Sequence, residues 1–219
     1  MKYFRSGFFD LGGQDLYVSR TGFTNELGFE IYSDGYKTDH LALWDHLIEC
    51  GKPYGMELSS SRAMTIRRIE GGIFGNLTDI DTTMTPFEAG LGFFVNMDKG
   101  DFIGRDYLLN ASKDCLTWGM RVENSFALVD SEISINNKKV GIVTSSTWSP
   151  FQVCGVAIVH MDNAEFGPDT IVDVSCDDGS VQKGEICTLP MYDEKGEIQR
   201  GLKEDIPSSP IPWKGISKN

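Results

Sequence analysis

Positive charge is scarce in this chain of 219 residues: 20 Lys and Arg stand against 32 Asp and Glu, a net charge of −12. Binding to phosphate backbones needs a cationic surface, so no nucleic-acid partner is expected. The same deficit argues against anionic membrane surfaces. Long apolar runs are missing as well, and none is long enough to span a bilayer. The opening MKYFRSGFF has no apolar h-region with a small-residue cleavage site. Histidine is sparse, three in all. His40 and His46 lack i, i+4 spacing, and no metal is expected. The five cysteines are odd in number, widely spaced and free of any C-x-x-C pair. That excludes a disulfide framework and a zinc site, and leaves reduced, buried thiols in a cytoplasmic protein. Internal repeats and low-complexity tracts are absent too.

What is present is ordinary globular material. Hydrophobic residues make up 40%, and the length suffices for one large domain or two small ones. Short aromatic and β-branched runs at 3–9, 16–20 and 28–32 read as strands, the first two joined through Asp10, Gly12 and Gly13. The period then changes. Leu41, Trp44, Leu47 and Ile48 recur at helical spacing, Thr38 reads as the N-cap, and Gly51 with Pro53 reads as the stop. A second helix starts from Ser59 to Ser61, carries Ala63, Ile66 and Ile69, and ends at Gly71-Gly72. Residues 75–100 form a long connection, closed by a short helix over 106–111. From Leu116 onward alternation dominates. Strands are expected at 116–122, 131–135, 140–145, 153–160, 171–175 and 181–189, with tight turns at Asn136-Asn137 and Asp177-Asp178-Gly179. Six short strands at regular spacing suggest a small barrel or sandwich.

The most informative stretch is SRTGFTNELGFEIY at 19–32, followed by RRIEGG at 67–72. A strand runs into a Gly/Thr/Asn turn that delivers Phe23 and Glu26, a second strand begins near Glu30, and a helix presents Arg67 and Arg68. An aromatic face, a carboxylate and a guanidinium suit a flat, hydrogen-bonding ring with an acidic tail. One carboxylate can accept an N–H and an amino group side by side. The residues alone leave alternatives open: Glu26 as a solvated turn residue, Phe23 as core packing, Arg68 in an ion pair with Glu70. Other patterns fail. Gly71 to Gly75 follows a helix rather than opening one, so it is no phosphate loop. Ser60, Ser146 and Cys154 have no convergent base that would make any of them a nucleophile.

At these residues the chain resembles the folate-dependent methyl- and aminomethyltransferases, the family of the glycine-cleavage T-protein. The stretch from Gly22 to Glu30 is similar to G-[YFW]-[TS]-x-E-x-G-x-E at every fixed position, and Arg68-Ile69-Glu70-Gly71-Gly72 is similar to R-x-E-x-G. Further matches follow in order: Thr85 to Gly92, then Asp101-Phe102-Ile103-Gly104, then Val143 to Pro150, which resembles V-T-S-x-x-[FWY]-S-P. Where T-proteins carry A-R-D-x-L-R-x-E, this chain has Ala63-Met64-Thr65-Ile66-Arg67-Arg68-Ile69-Glu70. That difference, with the stretch from Asp98 to Arg105, looks closest to the dimethylsulfoniopropionate demethylase branch.

The resemblance implies an α+β fold: the C-terminal part of a folate-binding, aminomethyltransferase-like lobe at 1–112, a small all-β barrel at 113–205 and a surface tail at 206–219. It implies tetrahydrofolate as cofactor, with Phe23, Glu26, Glu30, Arg68 and Trp148 as its binding residues and no catalytic residue singled out. The implied reaction moves a methyl group from a small sulfonium donor to tetrahydrofolate. Aminomethyl transfer in glycine cleavage is the alternative, and a non-catalytic folate-binding or interaction module is a third reading. Family members are nearly twice this length, so the chain is expected to correspond to their C-terminal part. It is also expected to self-associate through exposed strand edges.

Overall fold

The computed structural model describes residues 1–203 and 206–216, so the ends assigned above to the barrel span (204–205) and to the tail (217–219) lie outside the described residues. By contacts the chain divides into two compact units. The first is Met1–Arg67 with Lys195–Ile206, and the second is Arg68–Glu194 with Pro207–Asn219. This division falls after Arg67 rather than near 112. The reason is that the long connection is tied to the barrel. The Leu116 and Thr117 amides both donate to the Glu88 carbonyl, at 2.9 and 3.0 Å, and Asp79 accepts from Thr144 at 2.7 Å.

In the first unit, β1 (Ser6–Asp10), β2 (Asp15–Ser19) and β3 (Glu30–Tyr32) form an antiparallel sheet in that order. Alternation sorts its residues. Leu16 and Val18 are buried, while Phe8, Tyr17 and Tyr32 lie opposite one another in register and remain exposed. Their ring centroids are 5.1 and 5.9 Å apart. Helix α1 (His40–Gly51) starts at Asp39, whose carboxylate accepts from the Ala42 amide at 3.0 Å. Thr38 is not its cap. Its hydroxyl accepts from the Asp34 amide at 3.0 Å and closes the preceding turn. The buried residue of α1 is Leu43, whereas Leu41 and Trp44 are exposed, so the apolar stripe is rotated from the one expected. Gly51 stays within the helix. The stop comes at Gly55, in the left-handed region (φ 71°), after a short 3-10 turn over Lys52–Tyr54. Helix α2 (Ser61–Glu70) has Ser60 before it, whose hydroxyl accepts from the Ala63 amide at 3.2 Å.

The second unit holds a short 3-10 turn (Gly92–Phe94), α3 (Arg105–Asn110) and six strands: β4 (Thr117–Val122), β5 (Glu132–Ile135), β6 (Lys138–Ser149), β7 (Cys154–Met161), β8 (Ile171–Ser175) and β9 (Val181–Cys187). They close into an antiparallel barrel in the order β4-β7-β6-β5-β8-β9, with β9 pairing back to β4. Asn136 and Asn137 both adopt positive φ at the β5–β6 turn, as a tight hairpin requires. Met120, Ile133, Val143, Val159, Met161 and Ile186 fill the interior. Strand β7 is apolar on both faces because it serves two cores. Ala157, Val159 and Met161 face the barrel interior, while Cys154, Val156 and Ile158 join Ile69, Cys187 and Met191 in a second cluster. Gly155 sits where a Cβ would lie 2.1 Å from the Ser125 carbonyl oxygen, so no larger residue fits there.

Candidate functional site

The loop between β2 and β3 carries the motif residues of the first unit. Arg20, buried at its base, donates to the Gln199 carbonyl at 2.9 Å and more weakly to the Gly28 carbonyl at 3.4 Å. Its guanidinium also lies 5.3 Å from the centre of the Phe29 ring. The Ser19 and Thr21 hydroxyls are 2.5 Å apart, and Thr21 donates on to the Glu30 carboxylate. Glu30 therefore fastens the loop to the strand it opens. Asn25 takes up the left-handed conformation at φ 58°, a turn geometry that Asn tolerates. Its side chain is buried, and its amide nitrogen has no hydrogen-bond partner among the described residues. Next to it, Glu26 forms an ion pair with Arg67 from α2. The Phe23 ring is 39% exposed, so the core-packing role left open for it does not hold within this unit.

Arg68 lies in the second unit, and of the roles left open for it the structure displays an ion pair, but with Asp79 rather than Glu70. Its Nη1 donates to Asp79 Oδ2 at 2.8 Å, and its Nη2 to Ser145 Oγ at 2.9 Å. The Asp79 side chain is wholly buried and that of Arg68 is 11% exposed. Asp79 also accepts from the Gly75 amide at 2.7 Å and from the Thr144 hydroxyl at 2.7 Å. Both hydroxyls reach this side because β6 bulges: Val143 is opposite Val159, yet Ser145 is opposite Ile158. The extra residue turns Thr144 and Ser145 to one face. Glu70, buried, accepts instead from Ser149. Trp148, half-buried on β6, is paired with Gly155. The expected site residues thus divide into Phe23, Glu26 and Glu30 in the first unit, and Arg68 and Trp148 in the second.

Arg20, Asn25, Arg67 and Asp79 were missed as parts of these networks. A buried arginine leaves no periodic signal. The carboxylate that faces it comes from a loop with no spacing rule, and only the doubled arginine at 67 and 68 hinted that one of them served Glu26.

Neither Ser146 nor Cys154 is activated as a nucleophile. Ser146 donates to the Val156 carbonyl at 3.3 Å. Burial pushes the Cys154 thiol up to about 12 and the Cys187 thiol up to about 11, which keeps both protonated and unreactive. Cys176 is buried as well, Cys115 is half-buried, and Cys50 on α1 is exposed, contrary to the expectation of buried thiols throughout. Among the described residues no group of three His, Cys, Asp or Glu could hold a metal ion. No helix among them is long and apolar enough to cross a membrane.

Comparison with known proteins agrees with this architecture. The model of the glycine cleavage T-protein N-terminal domain matches residues 1–99, and that of the family's C-terminal barrel domain matches residues 118–193. An aminomethyltransferase of Caldanaerobacter subterraneus is 36% identical over 165 residues, which cover 72% of this chain and 43% of that protein. A probable aminomethyltransferase of Pyrococcus abyssi is 31% identical over 224 residues, covering 89% of this chain and 55% of that one. The chain thus spans about half the length of the curated relatives it matches. The crystal structure of the glycine cleavage system aminomethyltransferase T of Bartonella henselae superposes with a TM-score of 0.70 at 24% identity, over 83% of this chain and 51% of that one, a likeness of fold. With one family model matching the first part of the chain and the other the barrel, this protein belongs to the glycine cleavage T-protein family.

Proposed function

We propose that the chain serves tetrahydrofolate-dependent one-carbon transfer of the aminomethyltransferase type, and that Glu26 is the carboxylate that reads the edge of the pterin ring. The observation that carries this is the arrangement of the β2–β3 loop. Arg20 and the Thr21–Glu30 bond fasten it at both ends, Arg67 fixes the Glu26 carboxylate, and Phe23 stands exposed three residues away. The loop suits a flat ring with hydrogen-bonding edges: the carboxylate accepts from N–H groups, the aromatic face stacks, and the unpaired Asn25 amide donates to an acceptor. Tetrahydrofolate, when bound, supplies the nitrogen that accepts the one-carbon unit. The protein's share of the work is alignment and exclusion of water, which calls for no metal and no covalent intermediate on a side chain.

The aminomethyltransferase names of the relatives support the aminomethyl donor. Two sequence observations speak for the sulfonium donor: Met64-Thr65 in place of the Arg-Asp of T-proteins, and the stretch from Asp98 to Arg105. Transfer assays that offer each donor with tetrahydrofolate separate the two. The binding site is tested by calorimetry with tetrahydrofolate on the full chain. Glu26→Gln keeps the shape but replaces a double acceptor with an amide, and should weaken binding by roughly 1.5–3 kcal/mol. Glu57→Gln, exposed and outside the motif, serves as the control. Equal affinity for the wild type and both variants would leave Glu26 as a turn residue and remove this reading.

A further inference from the structure

The second unit contains a groove of about 380 Å³ that the folate reading does not use. Its walls are aromatic: Phe151, Tyr192 and Trp213, with the Phe151 and Tyr192 rings 5.5 Å apart and inclined at 59°. Its polar side is built around Arg121 on β4. The Arg121 Nε donates to Gln152 Oε1 at 2.9 Å, and Nη2 donates to the Met191 carbonyl at 2.7 Å. Two neutral acceptors thus fix the guanidinium, and no carboxylate within the described residues forms an ion pair with it, although Glu185 lies opposite it across the β4–β9 ladder. Gln152 adds a second, independent sign. It is 4% exposed, and because its oxygen is committed to Arg121, its amide nitrogen must face elsewhere, where it has no hydrogen-bond partner among the described residues. Buried amide nitrogens are rarely left unpaired, and a ligand acceptor is one way of completing them. Lys214 at the margin adds a second cation.

We propose that this groove is a binding site for a small aromatic carboxylate. The carboxylate would accept from the Arg121 guanidinium and, after a modest turn of its side chain, from the Gln152 amide. The aromatic body would lie against Trp213 and Tyr192. A guanidinium already held in place by neutral partners is preorganised for a planar anion, and a ring-lined wall rewards an aromatic body over an aliphatic one. The proposal stands apart from the folate reading, since every residue it uses belongs to the second unit.

The test uses the full chain, with benzoate as probe and benzyl alcohol and acetate as controls for charge and for ring. Binding is followed by the Trp213 indole and Gln152 side-chain amide signals in NMR, and affinity by calorimetry. Benzoate should shift both signals saturably, and the controls should not. Arg121→Gln should weaken benzoate about tenfold or more, the scale of one charge-assisted contact. Should that variant fail to fold, as judged by circular dichroism, Lys214→Gln provides a milder loss on the same signals, and Trp213→Leu a milder loss on the Gln152 signal and in calorimetry. Glu26→Gln should leave benzoate binding unchanged, so that failure here and failure of the folate reading remain distinct. N-acetylphenylalanine and 4-aminobenzoylglutamate, run as further probes, identify whether a peptide terminus or a folate-type acid is the better source of the same chemistry. Equal response to benzoate and benzyl alcohol, or no saturable response to any of the acids, overturns the proposal.

Discussion

Every strand of the barrel has a neighbour on each side, whereas the sheet of the first unit ends in two strands, β1 and β3, that each have one strand partner among the described residues. The same alternation rule operates in both. In the barrel it fills an interior with Met120, Ile133, Val143 and Ile186. In the first unit it leaves Phe8, Tyr17 and Tyr32 exposed in a row on one face. Closure removes edges, and an open sheet keeps them available to another chain. The two regions therefore differ in what a substitution costs. In the barrel the effect falls on stability, and in the open sheet the expected effect is on which strand edges are offered to another chain.

The largest effect is expected from Asp79→Ala. It strands the nearly buried Arg68 guanidinium without its counter-charge, and should cost about 3–5 kcal/mol of unfolding free energy in urea titrations followed by near-UV circular dichroism. A loss under about 1 kcal/mol would mean that the ion pair contributes little to the second unit. Gly155→Ala comes next. Its methyl group would meet the Ser125 carbonyl, and overpacking of this kind should lower stability by about 1–3 kcal/mol.

A smaller, pH-dependent term comes from His160 on β7, whose pKa burial holds below the usual imidazole range, against the opposing pull of Glu88, Asp162 and Asp81. The unfolded chain then takes up a proton more readily than the folded one. Stability due to this group is present above the ordinary histidine pKa and is lost as pH falls from there toward the lowered folded value. Melting temperatures measured from neutral to mildly acidic pH should fall less steeply in His160→Gln than in the wild type. The smallest change in stability, within about 0.5 kcal/mol, is expected for Phe8→Lys on the exposed row. That variant should nonetheless reduce self-association through β1, measured by sedimentation across a concentration series. An unchanged distribution of species would show that the open edge is not where chains meet.

The barrel was legible because periodicity and turn chemistry agree there: six strands appear at the expected places, although β6 runs over Lys138–Ser149 rather than 140–145, and Asn136-Asn137 supplies its turn. The helices were less so. Thr38 and Asp39 are both good caps by residue type, and only the competing turn at Asp34 decides between them. At the candidate site, Glu26 and Phe23 could be singled out from local pattern, since a turn delivers them. The partners could not. Arg67 meets Glu26 across 41 positions, Arg68 meets Ser145 across 77, and no spacing rule reaches that far. The doubled arginine was visible, but which member faced which carboxylate depended on the direction in which the helix is turned.

The bulge in β6 makes this strand sensitive to the count of its residues, not only to their kind. Replacing Thr144 by serine keeps a hydroxyl for Asp79. Deleting either residue 144 or 145 would restore an unbroken register with β7 and leave one hydroxyl where the Arg68–Asp79 pair now has two. A one-residue gap at this point in a related sequence would therefore say more than several exchanges around it. It would signal that the polar network behind the strand had been rebuilt or abandoned.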